Sequence, residues 1–353
     1  MSAYLHAIGT AVPGHDVHAA FIDWARAQVE PRSAKLFDRM AARAGIDHRW
    51  SVLPVGDDGG SPVAAGGFYA GDAHPGTAAR MRVYAEAAPA LALDAIARLG
   101  EQVALDGITH LVVASCTGFV APGVDQIIAA RLGLSASVER LLVGFMGCYA
   151  AVAAIRTARH IVRSDAGARV LVVTVELSTL HLQPATAIEP LLAMLQFGDG
   201  AAAALVTGEA GGFRLDRPFA AALPESGHLI RWDITDSGFA MHLSGEVPGR
   251  IAGALADRAL ADAVTGGVAA EEVDGWAVHA GGRSILDAVE GALHLSPDAL
   301  AASRAVLGDY GNMSSATLMF VLARLLAGPP VTRGVALAFG PGLAAEGFGF
   351  AST

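Results

Sequence analysis

The chain contains 353 residues, of which 53% are hydrophobic and 16% are charged, so it can form two domains or one duplicated unit with a large core. Its formal net charge of -10, without any basic stripe in the sequence, argues against a nucleic-acid partner. The charge-free runs are broken by Gly and Pro or are too short to cross a bilayer, and the first residues do not have the pattern of a signal peptide, so no membrane span is predicted.

Short apolar runs alternate with alanine-rich helical patterns along the chain. The predicted strands cover residues 109–115, 169–175, 200–206, 211–215 and 334–339. The predicted helices cover residues 82–99 and 149–163. Continuous apolar strands separated by helices are typical of α/β folds whose sheets are covered on both faces.

The pattern of elements indicates an internal duplication. Glycines cluster at residues 208–212 and divide the chain into an N-terminal half, 1–208, and a C-terminal half, 209–353. No low-complexity linker separates the halves, so we expect them to pack as one unit. The segment 55–71 is rich in Gly, Asp, Ser and Pro and is predicted to be mobile.

Cys148 is the first candidate catalytic residue and one of only two cysteines. Two cysteines make no disulfide framework, so a reducing cytoplasm is the expected location. Cys148 follows Gly147 and opens a strong helical pattern, and a thiol at a helix N-terminus is expected to have a lowered pKa and to be a good nucleophile. A buried structural cysteine is the alternative interpretation.

Two polar residues later in the chain are candidates to work with this thiol. His279 ends a strand-like run and is followed by Gly281 and Gly282, which would let a substrate approach closely. Asn312 follows Gly311 at a predicted helix start, where its amide could point into a pocket. The alternatives are a core histidine and a helix N-cap.

Several motifs, in this order, resemble those of the type III polyketide synthases, the chalcone-synthase-like family, here of bacterial type. They are GCYAAV at 147–152, FGDGAAAALV at 197–206, WAVHAGGRSIL at 276–286, GNMSSAT at 311–317 and FGPG at 339–342. The resemblance covers most of the chain. One departure is Ala280, which stands where the family usually has Pro, and we expect only a small effect on the backbone.

The resemblance implies a thiolase fold, an α/β architecture of five αβαβα layers built from two similar halves, in a homodimeric enzyme. It implies an acyltransferase that loads an acyl-CoA starter onto Cys148 and extends it by repeated decarboxylative condensation with malonyl-CoA. In this chemistry His279 and Asn312 stabilise the enolate, and neither a metal nor another cofactor is required. Cyclisation would then give a pyrone, resorcinol or phloroglucinol product, with the starter, the number of extensions and the mode of ring closure left open.

The resemblance also assigns residues to the walls of the pocket. Phe197 matches a gatekeeping Phe, whose partner Phe is replaced by Met241. Cys116 falls on a cavity-wall position, and Trp232 aligns with a small Gly of the plant cavity. Ala121 stands where plant enzymes place a Met that reaches the neighbouring subunit. Together these substitutions favour an aliphatic starter in an apolar tunnel.

Coenzyme A requires cationic contacts, which the family places on an N-terminal helix. Arg39 and Arg43 match two of those basic positions and lie one helical turn apart. The third position is Leu36, beside Lys35. Solvated surface arginines are the alternative interpretation.

Two other functions are compatible with the same motifs. An initiating β-ketoacyl-ACP synthase would need a basic docking patch for an acyl carrier protein, and the sequence offers little sign of one. An inactive thiolase-fold partner subunit would be expected to have lost the cysteine or its partners, whereas all three residues are present.

Overall fold

The computed structural model describes residues 2–56, 60–71 and 74–353. The strands of the first half are β1 (Ala3–Ala11), β2 (His15–Asp16), β3 (Trp50–Ser51), β4 (His110–Ser115), β5 (Glu139–Gly144), β6 (Val170–Leu177) and β7 (Asp199–Thr207). Its helices are α1 (His18–Gln28), α2 (Ala34–Ala42), α3 (Thr77–Gly100), α4 (Val124–Arg131), α5 (Ala150–Ser164) and α6 (Ile188–Met194).

The second half has a similar mixture of elements. Its strands are β8 (Phe213–Ala222), β9 (Ile230–Thr235), β10 (Gly238–Leu243), β11 (Gly275–Val278), β12 (Gly334–Gly340) and β13 (Ala344–Ser352). Its helices are α7 (Val247–Ala256), α8 (Arg258–Thr265), α9 (Arg283–Ala292), α10 (Ala301–Tyr310) and α11 (Ser315–Leu326). Among the described residues, no helix is long and apolar enough to cross a membrane.

Nine strands form a continuous sheet in the order β11-β12-β13-β8-β1-β7-β6-β4-β5. The two halves join where β1 pairs with β8 over three residue pairs. From this junction outwards, both halves repeat the same pattern of two antiparallel pairings followed by a parallel one. The division predicted at residues 208 and 209 falls in the loop between β7 and β8.

Helices cover the strands in layers. α5 and α11 contact strands of both halves and each other, whereas α3 covers β1, β6 and β7, and α8 packs on β8, β12 and β13. Successive residues of β7 face opposite layers: Leu205 packs in the core with α3, and Val206 packs in the core with α5 and α11. The α/β thiolase fold predicted for the chain is therefore confirmed, with α5 and α11 as its central helical layer.

Most predicted elements agree with the structure to within two residues. The exceptions are α3, which begins five residues before the predicted start at residue 82, and β8, which continues to Ala222 instead of ending at residue 215. The later part of β8 is half exposed and does not form a continuous apolar run, which is why the run predicted only its beginning. Within the segment predicted to be mobile, residues 57–59 lie outside the described part of the chain, and its mobility stays a prediction.

Candidate active site

The three candidate catalytic residues meet in one cavity. Cys148, His279 and Asn312 all line one pocket of about 640 Å³. They come from three different places in the fold: the turn before α5, the loop after β11 and the loop before α11. The fold thus brings together a thiol, an imidazole and an amide that are far apart in the sequence.

Cys148 lies in a tight 3₁₀ turn, Gly147–Tyr149, that leads directly into α5. Gly147 has φ 74, which favours glycine, and a Cβ at this position would lie 2.4 Å from Cδ of Pro341. The close approach of Pro341 therefore requires glycine before the cysteine. It also brings the FGPG loop against the turn that carries the thiol.

His279 follows β11, and its backbone N–H donates to the carbonyl of Leu337 at 2.8 Å. The residue is only 2% exposed, and neither Nδ1 nor Nε2 has a hydrogen-bond partner among the described residues. Burial lowers the pKa of the imidazole to about 3. Because buried polar atoms nearly always have partners, the imidazole is suited to bonding with a molecule that enters the cavity.

Asn312 is held in a defined orientation. Its Oδ1 accepts a hydrogen bond from the backbone N–H of Ser314 at 2.8 Å, and its Nδ2 donates to the carbonyl of Gly281 at 3.2 Å. Its own N–H donates to the carbonyl of Gln196 at 2.7 Å. Since Oδ1 is committed to a backbone donor, the NH₂ group is the end of the amide available to the cavity.

The electrostatics of Cys148 differ from the sequence prediction. Burial raises the pKa of the thiol to about 12, and Glu176 acts in the same direction, while hydrogen bonds with Ser314 and Asn312 oppose it. The predicted lowering of the pKa is therefore wrong for the isolated thiol, because desolvation penalises a lone thiolate. Proton transfer from Cys148 to His279 would instead create two opposite charges together, which attract one another and face the N-terminus of α5.

A buried carboxyl group beside the cavity was not predicted. Glu176, at 0% exposed, accepts hydrogen bonds from the backbone N–H of Cys116, from Thr117 Oγ1 and from Ser315 Oγ. Burial raises its pKa to about 7. The only signal in the sequence is a single acidic residue in strand β6, whose other residues are apolar except for Thr174.

Cys116 also lines the cavity, as predicted, and its surroundings differ from those of Cys148. Its Sγ donates to Oε1 of Glu176 at 3.3 Å and lies 3.3 Å from Oγ of Ser314. Burial and the neighbouring carboxyl group of Glu176 raise its pKa. This environment disfavours a thiolate at Cys116 and suits a residue of the cavity wall.

A second, largely apolar cavity of about 780 Å³ adjoins the first. Phe197, Trp232 and Met241 line both cavities and so form the boundary between them. Trp232 and Met241 face each other in the β9–β10 ladder, and Nε1 of Trp232 donates to the carbonyl of Cys116 at 2.9 Å. Ala121 is exposed and is not among the residues that line either cavity.

A third, open cavity of about 2000 Å³ forms a mouth on the surface. It shares the lining residues Leu243, Gly281 and Ile285 with the catalytic cavity, so the two adjoin. Arg43 lines this mouth, whereas Arg39, on α2, is exposed and lies outside its lining. Arg283, at the start of α9, also lines it and was not predicted, although it is part of the WAVHAGGRSIL motif.

Within the described ranges, no group of three or more His, Cys, Asp or Glu side chains converges to hold a metal ion. That the reaction requires no metal stays a prediction.

Comparison with known proteins gives the family. The chalcone and stilbene synthase family matches with its N-terminal domain over residues 2–210 and its C-terminal domain over 215–353. The chain therefore belongs to the chalcone and stilbene synthases and is a type III polyketide synthase.

Individual relatives agree with this assignment. The bisdemethoxycurcumin synthase of Oryza sativa subsp. japonica is 38% identical over 296 residues, which are 77% of this chain and 73% of that protein. The alpha-pyrone synthesis polyketide synthase-like Pks18 of Mycobacterium tuberculosis is 35% identical over 286 residues, 77% of this chain and 72% of that protein. The crystal structure of PKS-I from the brown alga Ectocarpus siliculosus matches with a TM-score of 0.90 at 30% identity, covering 100% of this chain and 98% of that one.

Proposed function

We propose that the protein condenses malonyl-CoA onto an acyl-CoA starter carried by Cys148. The observation that carries this proposal is the convergence of Cys148, His279 and Asn312 in one cavity, where neither ring nitrogen of His279 has a partner in the described part of the chain. A free thiol, a free imidazole and an oriented amide are the groups that acyl loading and enolate stabilisation require.

In the loading step, Sγ of Cys148 attacks the thioester carbonyl carbon of the starter. The thiol proton passes to His279, the bond between the acyl carbon and the CoA sulfur breaks, and CoA leaves as a thiol after receiving that proton. The acyl group is then held as a thioester of Cys148. Burial disfavours a lone thiolate at Cys148 and a lone imidazolium at His279. Transfer of the proton from Cys148 to His279 creates the two opposite charges together, so the total charge of the site does not change.

In the extension step, malonyl-CoA presents its thioester oxygen to the His279 imidazole and the Asn312 NH₂ group. The bond between C2 and the carboxylate breaks, CO₂ leaves, and the electron pair forms an enolate. The enolate carbon attacks the acyl carbon on Cys148, and the thiolate departs. Each preorganised donor stabilises such a developing charge by roughly 3–4 kcal/mol. No metal or other cofactor takes part in this scheme.

Both substrates would enter through the mouth. Arg43 and Arg283 both line it, together with the acidic residues Glu189 and Asp287, and the two guanidinium groups are the candidates to contact the phosphates of coenzyme A. Arg39 is a turn away on the same surface and would add to the positive potential. The extended chain returns to Cys148 after each cycle and is finally cyclised.

The starter we propose is aliphatic. The second cavity is lined mainly by apolar side chains, and Met241, instead of a second aromatic gate, stands at its boundary. Trp232 occupies space beside Cys116 where a bulky aromatic starter would otherwise bind. A pyrone or resorcinol-type product after two or three extensions is the expectation from the family, and a phloroglucinol type is the alternative.

We further propose a homodimer in the cytoplasm. β5 is an edge strand of the large sheet and is mostly exposed, and Leu141, Leu142 and Phe119 are 44%, 41% and 46% exposed. Edge strands with exposed apolar residues are normally covered by a partner. Ala121 lies two residues beyond Phe119 and is exposed near this face. The free thiols of Cys116 and Cys148 suit a reducing compartment.

The direct test is product analysis of the purified protein. It is incubated with malonyl-CoA and a series of linear, branched and aromatic acyl-CoAs, and the products are separated by mass spectrometry. The proposal predicts cyclised products that contain the starter plus whole acetate units, and none from Cys148→Ala. Condensation that proceeds only with an acyl carrier protein, or that continues in Cys148→Ala, would contradict it.

A further inference from the structure

Arg49 is a buried cation that makes no direct ion pair within the described part of the chain. It is 2% exposed, and the carboxylates of Asp16 and Asp199 stabilise its charge at longer range. The group instead donates from Nη1 to the carbonyls of Phe197 and Met194, at 2.8 and 3.2 Å, and from Nε to Nδ1 of His18, at 2.9 Å. A buried guanidinium group that donates to backbone carbonyls has a defined position, because moving it away from these acceptors would leave a buried charge without hydrogen-bond partners.

The backbone that Arg49 holds is paired with the catalytic amide residue. The backbone carbonyl of Gln196 accepts a hydrogen bond from the backbone N–H of Asn312 at 2.7 Å. The backbone carbonyl of Asn312 accepts one from the backbone N–H of Gly198 at 3.0 Å. These two bonds form a parallel bridge between Phe197 and Asn312. The Phe197 carbonyl that receives Nη1 of Arg49 therefore lies in the middle of the segment that is in register with Asn312.

Arg49 also packs directly beneath the loop that carries Asn312. Gly311 has φ 67, and a Cβ at that position would lie 2.9 Å from Cγ of Arg49 and 2.8 Å from the carbonyl oxygen of Gln196. The chain can therefore pass over the Arg49 side chain only because residue 311 is a glycine. Hydrogen bonds on one side and packing on the other connect Arg49 to the position of Asn312.

We propose that Arg49 is a positioning residue for decarboxylation: by holding the Phe197 segment in register, it places the amide of Asn312 where the enolate forms. The inference rests on the proposed function of Asn312. Arg49 does not line the catalytic cavity and touches neither Cys148 nor His279, whereas it does line the second, apolar cavity. Its replacement can therefore alter binding of the starter, and the inference concerns the rate of decarboxylation relative to the rate of loading. Arg49 also determines where the backbone of the gate residue Phe197 lies.

The test measures the two half-reactions separately. Acyl loading of Cys148 is followed by intact-protein mass spectrometry, and CO₂ release from malonyl-CoA is followed in single turnovers. Arg49→Met should slow decarboxylation by about tenfold or more, since a small displacement of a catalytic group has a large effect on rate. Because Arg49 also lines the second cavity, loading is measured at saturating acyl-CoA, where its rate should fall much less than the rate of decarboxylation. Arg49→Lys, which can still donate to a carbonyl, should recover part of the loss.

A double-mutant cycle shows whether the effect passes through the amide. In the Asn312→Ala background, Arg49→Met should slow decarboxylation no further, because the group that it positions is gone. An effect of equal size in both backgrounds, or a proportional loss of loading and decarboxylation in Arg49→Met, would overturn the inference. If Asn312→Ala itself leaves CO₂ release unchanged, the proposed role of Asn312 fails first.

Arg80 provides the matched control. It is also fully buried and donates to the backbone carbonyls of Pro75, Leu180 and Leu182, none of which pairs with Asn312. Arg80→Lys should lower stability without changing the ratio of the two half-reactions, and an Arg80→Lys variant that selectively loses decarboxylation would contradict the specificity claimed for Arg49.

A second variant keeps the test valid if Arg49→Met does not fold. His18→Ala removes only the Nε acceptor of Arg49 and leaves both carbonyl contacts in place. It should produce a smaller selective loss of decarboxylation, which disappears in the Asn312→Ala background. An equal loss in both backgrounds would again refute the inference.

Discussion

Replacement of Asn312 separates the catalytic from the structural role of its amide. Asn312→Ala removes the NH₂ donor and also the Oδ1 acceptor of the Ser314 N–H, which lies at 2.8 Å. Loss of one oxyanion donor should slow CO₂ release by about 100- to 1000-fold. Loss of the acceptor leaves a buried N–H unpaired and should lower the free energy of unfolding by about 1–3 kcal/mol.

Asn312→Asp is the matched variant. Its carboxylate can still accept from the Ser314 N–H, so the loop that begins α11 keeps its anchor, but the NH₂ donor is lost. We therefore expect Asn312→Asp to be at least as slow as Asn312→Ala in decarboxylation. Its second carboxylate oxygen would face the Gly281 carbonyl, to which the NH₂ group donates in the wild type, so this variant should also lose stability. The assays are CO₂ release from malonyl-CoA and urea unfolding. Wild-type decarboxylation in Asn312→Asp would refute the reasoning, because it would show that the donor has no role in enolate formation.

Three further predictions concern the thiol, the starter and Glu176. If His279 accepts the Cys148 proton, iodoacetamide should label Cys148 at pH 7 about tenfold or more faster in the wild type than in His279→Gln, where no imidazole can take that proton and burial keeps the thiol pKa high; equal rates would exclude the pair. With fatty acyl-CoA starters, kcat/KM should rise by up to about fourfold per methylene, from about 0.8 kcal/mol each, until the cavity ends; a preference for benzoyl- or coumaroyl-CoA over every fatty acyl-CoA would contradict the proposed pocket. Because burial raises the pKa of Glu176 to about 7 from its ordinary 4.5, the folded state keeps a proton that the unfolded state releases, so stability is lost as the pH rises through this interval. Between pH 5 and pH 8, Glu176→Gln should therefore gain up to about 3 kcal/mol relative to the wild type in urea unfolding, and an unchanged difference would contradict this assignment.

Sequence patterns predicted the elements whose burial is uniform. β6 and β7 are buried along their whole length, so their apolar runs identified them, whereas β8 is half exposed beyond its first residues and was largely missed. The three motif residues that meet in the catalytic cavity were also identified correctly as neighbours. Glycine next to a reactive residue was the useful signal, since Gly147 and Gly311 both have positive φ values and close contacts.

The residues that sequence patterns missed act through long-range contacts. Glu176 reaches Cys116, 60 positions away, and Arg49 reaches Phe197, 148 positions away, so no local spacing marks either. The pKa of Cys148 was predicted in the wrong direction for the isolated thiol because the helix N-terminus is visible in the sequence but burial is not. Depth in the fold, which decides the desolvation penalty, is a property of the packed structure.

The most direct test of the central claim is to locate the acyl group on the enzyme. The purified protein is incubated with a fatty acyl-CoA without malonyl-CoA, digested, and mapped by mass spectrometry. We predict a single acyl adduct on the peptide that contains Cys148, and its release when malonyl-CoA is added. An adduct on Cys116 alone, or no adduct under conditions in which products form, would contradict the account.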